Sequence, residues 1–78
     1  MITYRKLWIR LAEREMPKME LAQKAGISTA TLAKLGKNEY VALSVLESIC
    51  LALGCDIGDV VEVLPDAQKT PNQENDSV

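Results

Sequence analysis

On a helical wheel at about 100° per residue, the stretch Ser28-Thr29-Ala30-Thr31-Leu32-Ala33-Lys34-Leu35 turns Leu32 and Leu35 to one side and Thr29, Ala30, Ala33 and Lys34 to the other. Lys37 follows just beyond its end. The outward set is equipped for one kind of chemistry, the non-covalent reading of a duplex. The Thr29 and Thr31 hydroxyls can hydrogen-bond to base edges or phosphates, and the Lys34 ammonium can reach guanine acceptors or a phosphate oxygen. Alanine and threonine methyls can meet thymine methyls in a major groove. Ala30 and Ala33 keep the middle of the face short, so the helix can approach a groove floor. Alanines on an exposed face also follow from helix propensity alone, so they count only together with their surroundings.

Those surroundings must hold the face outward. Residues 18–25 predict a short helix with Leu21, Ala22 and Ala25 turned inward. Pro17 fits its start, and Glu20 in the first turn suits the helix dipole. The small Ala22 and Ala25 let a second helix cross closely. Gly26 can take the left-handed conformation that ends a helix, Ile27 is expected to be buried, and Ser28 is a good N-cap for a helix over 29–36. A short helix, a tight glycine turn and a second helix with a free face make a helix-turn-helix at 18–36.

Three further helices are expected around it. The first, at 3–15, carries the apolar stripe Tyr4, Leu7, Trp8, Leu11 and Ala12, with Thr3 as its N-cap. Another, at 43–53, turns Leu46, Ile49, Cys50 and Leu53 inward and stops at Gly54. The last, at 57–64, follows Asp56 as N-cap and buries Ile57, Val60, Val61 and Leu64, although its β-branched valines weaken helix propensity. No segment alternates long enough to build a sheet. The predicted class is all-α: five short helices around one core, in one domain at 1–65. Residues 66–78, DAQKTPNQENDSV, read as a disordered polar tail.

The chain has 78 residues, enough for one modest core. A domain of this size buries only about 60% of the surface its unfolded chain exposes. No apolar run reaches the roughly 18 residues of a membrane span, and Met1–Arg10 lacks the apolar core of a signal peptide. A cytoplasmic protein is expected. Net charge is −2, but it is polarised: residues 1–38 hold eight basic against three acidic residues, net +5, and residues 39–78 hold one against eight, net −7. Such asymmetry hints at a nucleic-acid face; chance polarisation of a surface gives the same count. With no histidine, no paired catalytic groups and no glycine-rich phosphate loop, the sequence supports neither an enzyme nor a cofactor, and no small-molecule effector is evident. Cys50 and Cys55, five apart, would stand about 140° from each other on a helix and lack further partners for zinc. They read as small buried thiols.

The run Glu20-Leu21-Ala22-Gln23-Lys24-Ala25-Gly26-Ile27-Ser28, followed by Leu32 and later by Leu46, Ile49, Leu53 and Gly54, resembles the Cro/C1-type (XRE) helix-turn-helix family. The resemblance covers about residues 3–64 and includes the stretches TLAKLGKNE at 31–39 and CDIGDV at 55–60, which short stand-alone members share. It implies a lambda-repressor-like five-helix fold and binding to double-stranded operator DNA. It also implies roles. Lys18 and Gln23 would clamp the backbone. Ser28, Thr29, Ala30 and Thr31 would read bases, joined a turn later by Lys34. Lys37 and Asn38 would meet phosphates. Two departures stand out. Many relatives carry glutamate where this chain has Gly36, so the reading helix is expected to end early. Ala42 replaces a Ser or Asp cap, at a cost of about 1 kcal/mol. Family members usually dimerise on half-sites about one helical turn apart. Leu51, Ile57, Val61, Val63 and Leu64 in the C-terminal helices could supply a homodimer surface, or several of them could finish the core. The alternative function is a protein-interaction module on the same scaffold, of antitoxin or co-regulator type, with the acidic half facing a basic partner.

Overall fold

The computed structural model of the chain describes residues 1–65; the tail expected at 66–78 lies outside them. Along the chain come β1 (Ile2–Thr3), α1 (Arg5–Glu13), α2 (Lys18–Ala25), α3 (Thr29–Gly36), α4 (Leu43–Leu53), a single 3-10 turn (Ile57–Asp59) and β2 (Glu62–Val63). Among the described residues there are thus four α-helices, not five. The helix expected at 57–64 shrinks to one turn and then extends. Gly58, Val60, Val61 and Val63 explain this: glycine and β-branched residues are poor helix formers, and the valines suit a strand. β2 pairs antiparallel with β1, Ile2 opposite Val63 and Thr3 opposite Glu62. A two-residue ladder is too short for its alternation to show in sequence. Thr3, expected as a cap, is a buried residue of β1; its Oγ1 accepts the Arg5 N–H at 3.3 Å. The first helix is therefore shorter at both ends than 3–15.

The core gathers Tyr4, Leu7 and Leu11 from the α1 side, Leu21 from α2, Leu35 from α3, Leu46, Ile49, Cys50 and Leu53 from α4, and Val60. Each fully buried Leu or Ile contributes roughly 1.5–3 kcal/mol. Trp8, Ala25, Ile27 and Val61 pack on this cluster from its edge. Ala12, expected in the inward stripe, is exposed, and Ile27 and Leu32 are half-buried. α2 packs against both α3 and α4, which ties the helix-turn-helix to the core.

Each helix ends in a left-handed residue: Glu15 (φ 54°), Gly26 (70°), Asn38 (58°) and Gly54 (67°). After each, the next N–H reaches back across the helix end: Met16 to the Leu11 carbonyl, Ile27 to Ala22, Glu39 to Lys34 and Cys55 to Cys50, at 2.9–3.1 Å. Two of these four positions are not glycine. α3 spans Thr29–Gly36, the bounds expected for it, and Gly36 is helical. It is the last residue of α3, with Lys37 as the C-cap, and a Cβ there would meet nothing within 4 Å. Two opposite exchanges should therefore both stabilise. Glu15→Gly relieves a left-handed side chain and Gly36→Ala restores helix propensity, each worth about 0.5–1 kcal/mol in urea unfolding. A loss of stability in Gly36→Ala would contradict the helical conformation of that residue.

Four basic residues of the α1 segment turn toward the C-terminal part. Arg5 donates to both Glu62 oxygens at 2.8 and 3.0 Å, and Lys6 reaches the Gly58 carbonyl at 3.3 Å. Arg10 pairs with Asp59 at 3.5 Å, and Arg14 donates to the Leu53 carbonyl at 2.7 Å. The last contact satisfies a carbonyl that the end of α4 leaves without an intrahelical partner. The hydrogen bonds from Arg5 hold the Glu62 carboxyl below the usual carboxylate range. Half of the positive charge of residues 1–38 thus clasps the acidic half of the same molecule.

Candidate nucleic-acid interface

α3 is held by three local devices. Ser28 caps it in extended geometry, its Oγ accepting the Thr31 N–H at 3.1 Å. Gly26 makes the tight turn from α2 at φ 70°. Leu35 is fully buried at the far end. This leaves Thr29, Ala30, Ala33, Lys34 and Lys37 exposed, as the wheel requires.

The remaining candidates divide. Ser28 is exposed, but its hydroxyl also donates to Thr31 Oγ1 at 3.1 Å. Ser28 and Thr31 therefore occupy each other, and Thr31 is half-buried. Their first task is to build the helix start. Lys18 and Gln23 are exposed on α2. Lys18 stands at the first position of α2 with its ammonium 4.3 Å from the centre of the Trp8 ring, a cation–π contact that fixes where the charge sits. Pro17, the N-cap, offers no side-chain acceptor to the first turn of α2. That turn keeps amide donors for an anion.

Asn38 does something the sequence reading did not assign. It adopts the left-handed conformation after α3, and its Oδ1 accepts the Tyr4 N–H at 3.1 Å. Tyr4 in turn donates its hydroxyl to the Glu39 carbonyl at 2.8 Å. The loop after α3 is thereby sewn to the start of α1. The available signal was the residue type: asparagine is the side chain that enters left-handed geometry most readily after glycine.

Charge resolves on the same residues. Of the eight basic residues in 1–38, the four of the α1 segment are engaged as described, and Lys24 pairs with Glu20 at 3.6 Å. Among the described residues, Lys18, Lys34 and Lys37 have no carboxylate partner. These three lie at the start of α2, on α3 and in the loop that follows. No group of three or more His, Cys, Asp or Glu among the described residues is placed to hold a metal, and no helix among them is long and apolar enough to cross a membrane.

This arrangement is that of a helix-turn-helix domain, and comparison with known proteins agrees. Residues 6–66 match the family described as the Cro/C1-type HTH DNA-binding domain. The chain is similar to an uncharacterized HTH-type transcriptional regulator, YozG, of Bacillus subtilis (strain 168), with 43% identity over 60 residues spanning 74% of this chain and 71% of the relative. Among solved structures it is similar to the transcriptional regulator VanUg (crystal form II). The TM-score is 0.79 and the identity 52%, over 83% of this chain and 87% of that one. The chain belongs to the Cro/C1-type helix-turn-helix family, a family of DNA-binding transcriptional regulators.

Proposed function

We propose that this protein is a sequence-specific operator-binding regulator that lays α3 in the major groove and represses by occupancy. The observation that carries the reading is the match between two independent features. The exposed face of α3 is short and hydroxyl-bearing, and the lysines with neither a carboxylate nor a backbone-carbonyl partner among the described residues are Lys18, Lys34 and Lys37. Lys18, held by Trp8, would engage one phosphate from the start of α2, with Gln23 nearby on the same helix. Thr29, Ala30 and Ala33 would face base edges, and Lys34 a guanine or a phosphate. Lys37 would meet the backbone beyond α3, and Tyr40, 79% exposed, can add a hydroxyl donor there. Ser28, Thr31 and Asn38 would serve chiefly by holding this surface in place. Few small side chains read bases, so operator shape and deformability would contribute to selectivity.

A gel-shift series at several salt concentrations tests these roles. Lys37→Ala should weaken binding to all sequences alike and reduce the salt slope by about 1. Thr29→Ala should change sequence preference, by roughly 1–3 kcal/mol at the base it reads. A uniform loss in Thr29→Ala would count against base reading at that residue. Absence of any salt-dependent DNA binding would favour the protein-interaction reading instead.

The working unit is proposed to be a homodimer. Leu51 (78% exposed), Val63 (74%) and Ile57 (41%) remain open, whereas Val61 and Leu64 are half-buried, Val61 against the core. The candidate surface thus narrows to three of the five residues. Light scattering that found a monomer both free and on DNA would remove the dimer.

A further inference from the structure

Cys50 and Cys55 are free thiols outside the proposed DNA-binding surface. On a continuous helix they would point apart, but α4 does not continue. Gly54 turns left-handed at φ 67°, and the Cys55 N–H donates back to the Cys50 carbonyl at 3.1 Å. In that turn Cys50 and Cys55 hold the two positions whose side chains meet across the helix end. Cys55 packs on the core cluster to which Cys50 belongs, and burial, the Cys55 side chain and the Asp56 and Asp59 carboxylates together push the Cys50 thiol up. Cys50 is buried and Cys55 half-buried, and both line an open depression with Leu51, Gly54, Asp56 and Asp59.

We propose that Cys50 and Cys55 form an oxidation site in which a hydroperoxide entering this depression closes an intramolecular disulfide across the end of α4. Cys55 is the more accessible and reacts first. Its thiolate attacks one peroxide oxygen and the O–O bond breaks. The departing hydroxide takes a proton to become water, leaving a sulfenic acid on Cys55. The Cys50 sulfur then loses its proton and attacks the Cys55 sulfur. The S–O bond breaks, and a second water leaves. Two thiols give up two electrons and two protons, and one hydrogen peroxide becomes two waters. The product is neutral, which suits a buried sulfur beside two carboxylates. A soft cation held by the pair would instead keep both sulfurs ionised there, with no third ligand among the described residues. In a reducing compartment such a bond is transient and reports oxidant. It would fix the joint between α4 and the 3-10 turn that carries Ile57.

The test uses the reduced full chain treated with hydrogen peroxide in the presence of dimedone, which captures sulfenic acid. The products are read by intact mass and by non-reducing peptide mapping. In buffer, both thiols should vanish together in a monomer lighter by two hydrogens, with the 50 and 55 peptides linked, little dimedone adduct, and full reversal by dithiothreitol. In urea, where the turn is lost, dimedone should capture Cys55 to a much larger extent. The variant Cys50→Ala should give the adduct in buffer as well. Three results would overturn the proposal: equal capture in buffer and urea, Cys55 sulfinic acid with Cys50 still open to alkylation, or disulfide-linked dimers as the main product. The wild-type comparison stands even if the variant folds poorly.

Discussion

Asn38→Ala is expected to destabilise the fold by about 2–3 kcal/mol through two separable losses. Alanine at a left-handed position costs about 1 kcal/mol or more, and φ at Asn38 is 58°. The Tyr4 N–H, which now donates to Asn38 Oδ1 at 3.1 Å, loses its acceptor beside a Tyr4 side chain that is 1% exposed. An orphaned buried donor costs about 1–3 kcal/mol. In a domain this small the melting temperature should fall by about 10–20 °C. Asn38→Gly restores only the backbone freedom and should fall between alanine and wild type. Asn38→Asp keeps an acceptor at the same reach and should stay closest to wild type. Urea midpoints in that order would establish Asn38 as the joint between α1 and the loop after α3. An alanine variant as stable as wild type would return Asn38 to the role of a plain surface residue. The series also protects the DNA experiments from misreading, because an Asn38 variant can lose affinity by releasing Lys37 and not by losing a phosphate contact of its own.

How much of this was legible in the sequence differs by element. The helix-turn-helix was almost fully so. Gly26 and Ser28 act through local backbone and cap geometry, and Leu35 through its place on the apolar side of the helix; both are written in residue type and spacing. The end of the chain was not. Ile57, Val60, Val61 and Leu64 have a spacing that fits a helix; Gly58 and the valines weaken it, and the pairing of β2 with Ile2 and Thr3, some sixty residues away, decides against it. Charge misled in the same way. The count of +5 in residues 1–38 pointed to a nucleic-acid face, but Arg5 and Arg10 pair with Glu62 and Asp59, and Lys6 and Arg14 cap backbone carbonyls. Half of the asymmetry is an intramolecular clasp, which no charge count can separate from a binding surface. The two cysteines show the reverse error. Their separation on a wheel holds only while the helix lasts, and Gly54 at φ 67°, expected to end that helix, also brings them together. The outward face of α3, Thr29, Ala30 and Ala33 with Lys34, follows from the wheel, and the structure leaves these four residues exposed; that the face reads bases is the proposal.

Ala33→Glu is expected to weaken operator binding by roughly 100-fold or more while leaving the melting temperature nearly unchanged. Ala33 is exposed in the middle of α3, so the substitution disturbs no core contact, and alanine and glutamate are both good helix formers. Exposed changes of this kind stay within about 0.5 kcal/mol of stability. On DNA the effects add in one direction. The longer side chain holds α3 off the groove floor, and its charge opposes the phosphates and base acceptors. The introduced carboxylate also lies four residues before Lys37, where an i, i+4 pair would divert that lysine from the backbone. Ala33→Gln separates the contributions: it keeps the bulk without the charge, so its loss of affinity measures steric exclusion alone, and its salt slope should match wild type. Ala33→Ser, nearly as small as alanine, should bind with only a modest change. The comparison is made at one salt concentration and then across a salt series, since affinity without salt dependence says little about a DNA face. If Ala33→Glu binds the operator as well as wild type, α3 does not enter the groove, and the interface must be rebuilt around Lys18 and the start of α2.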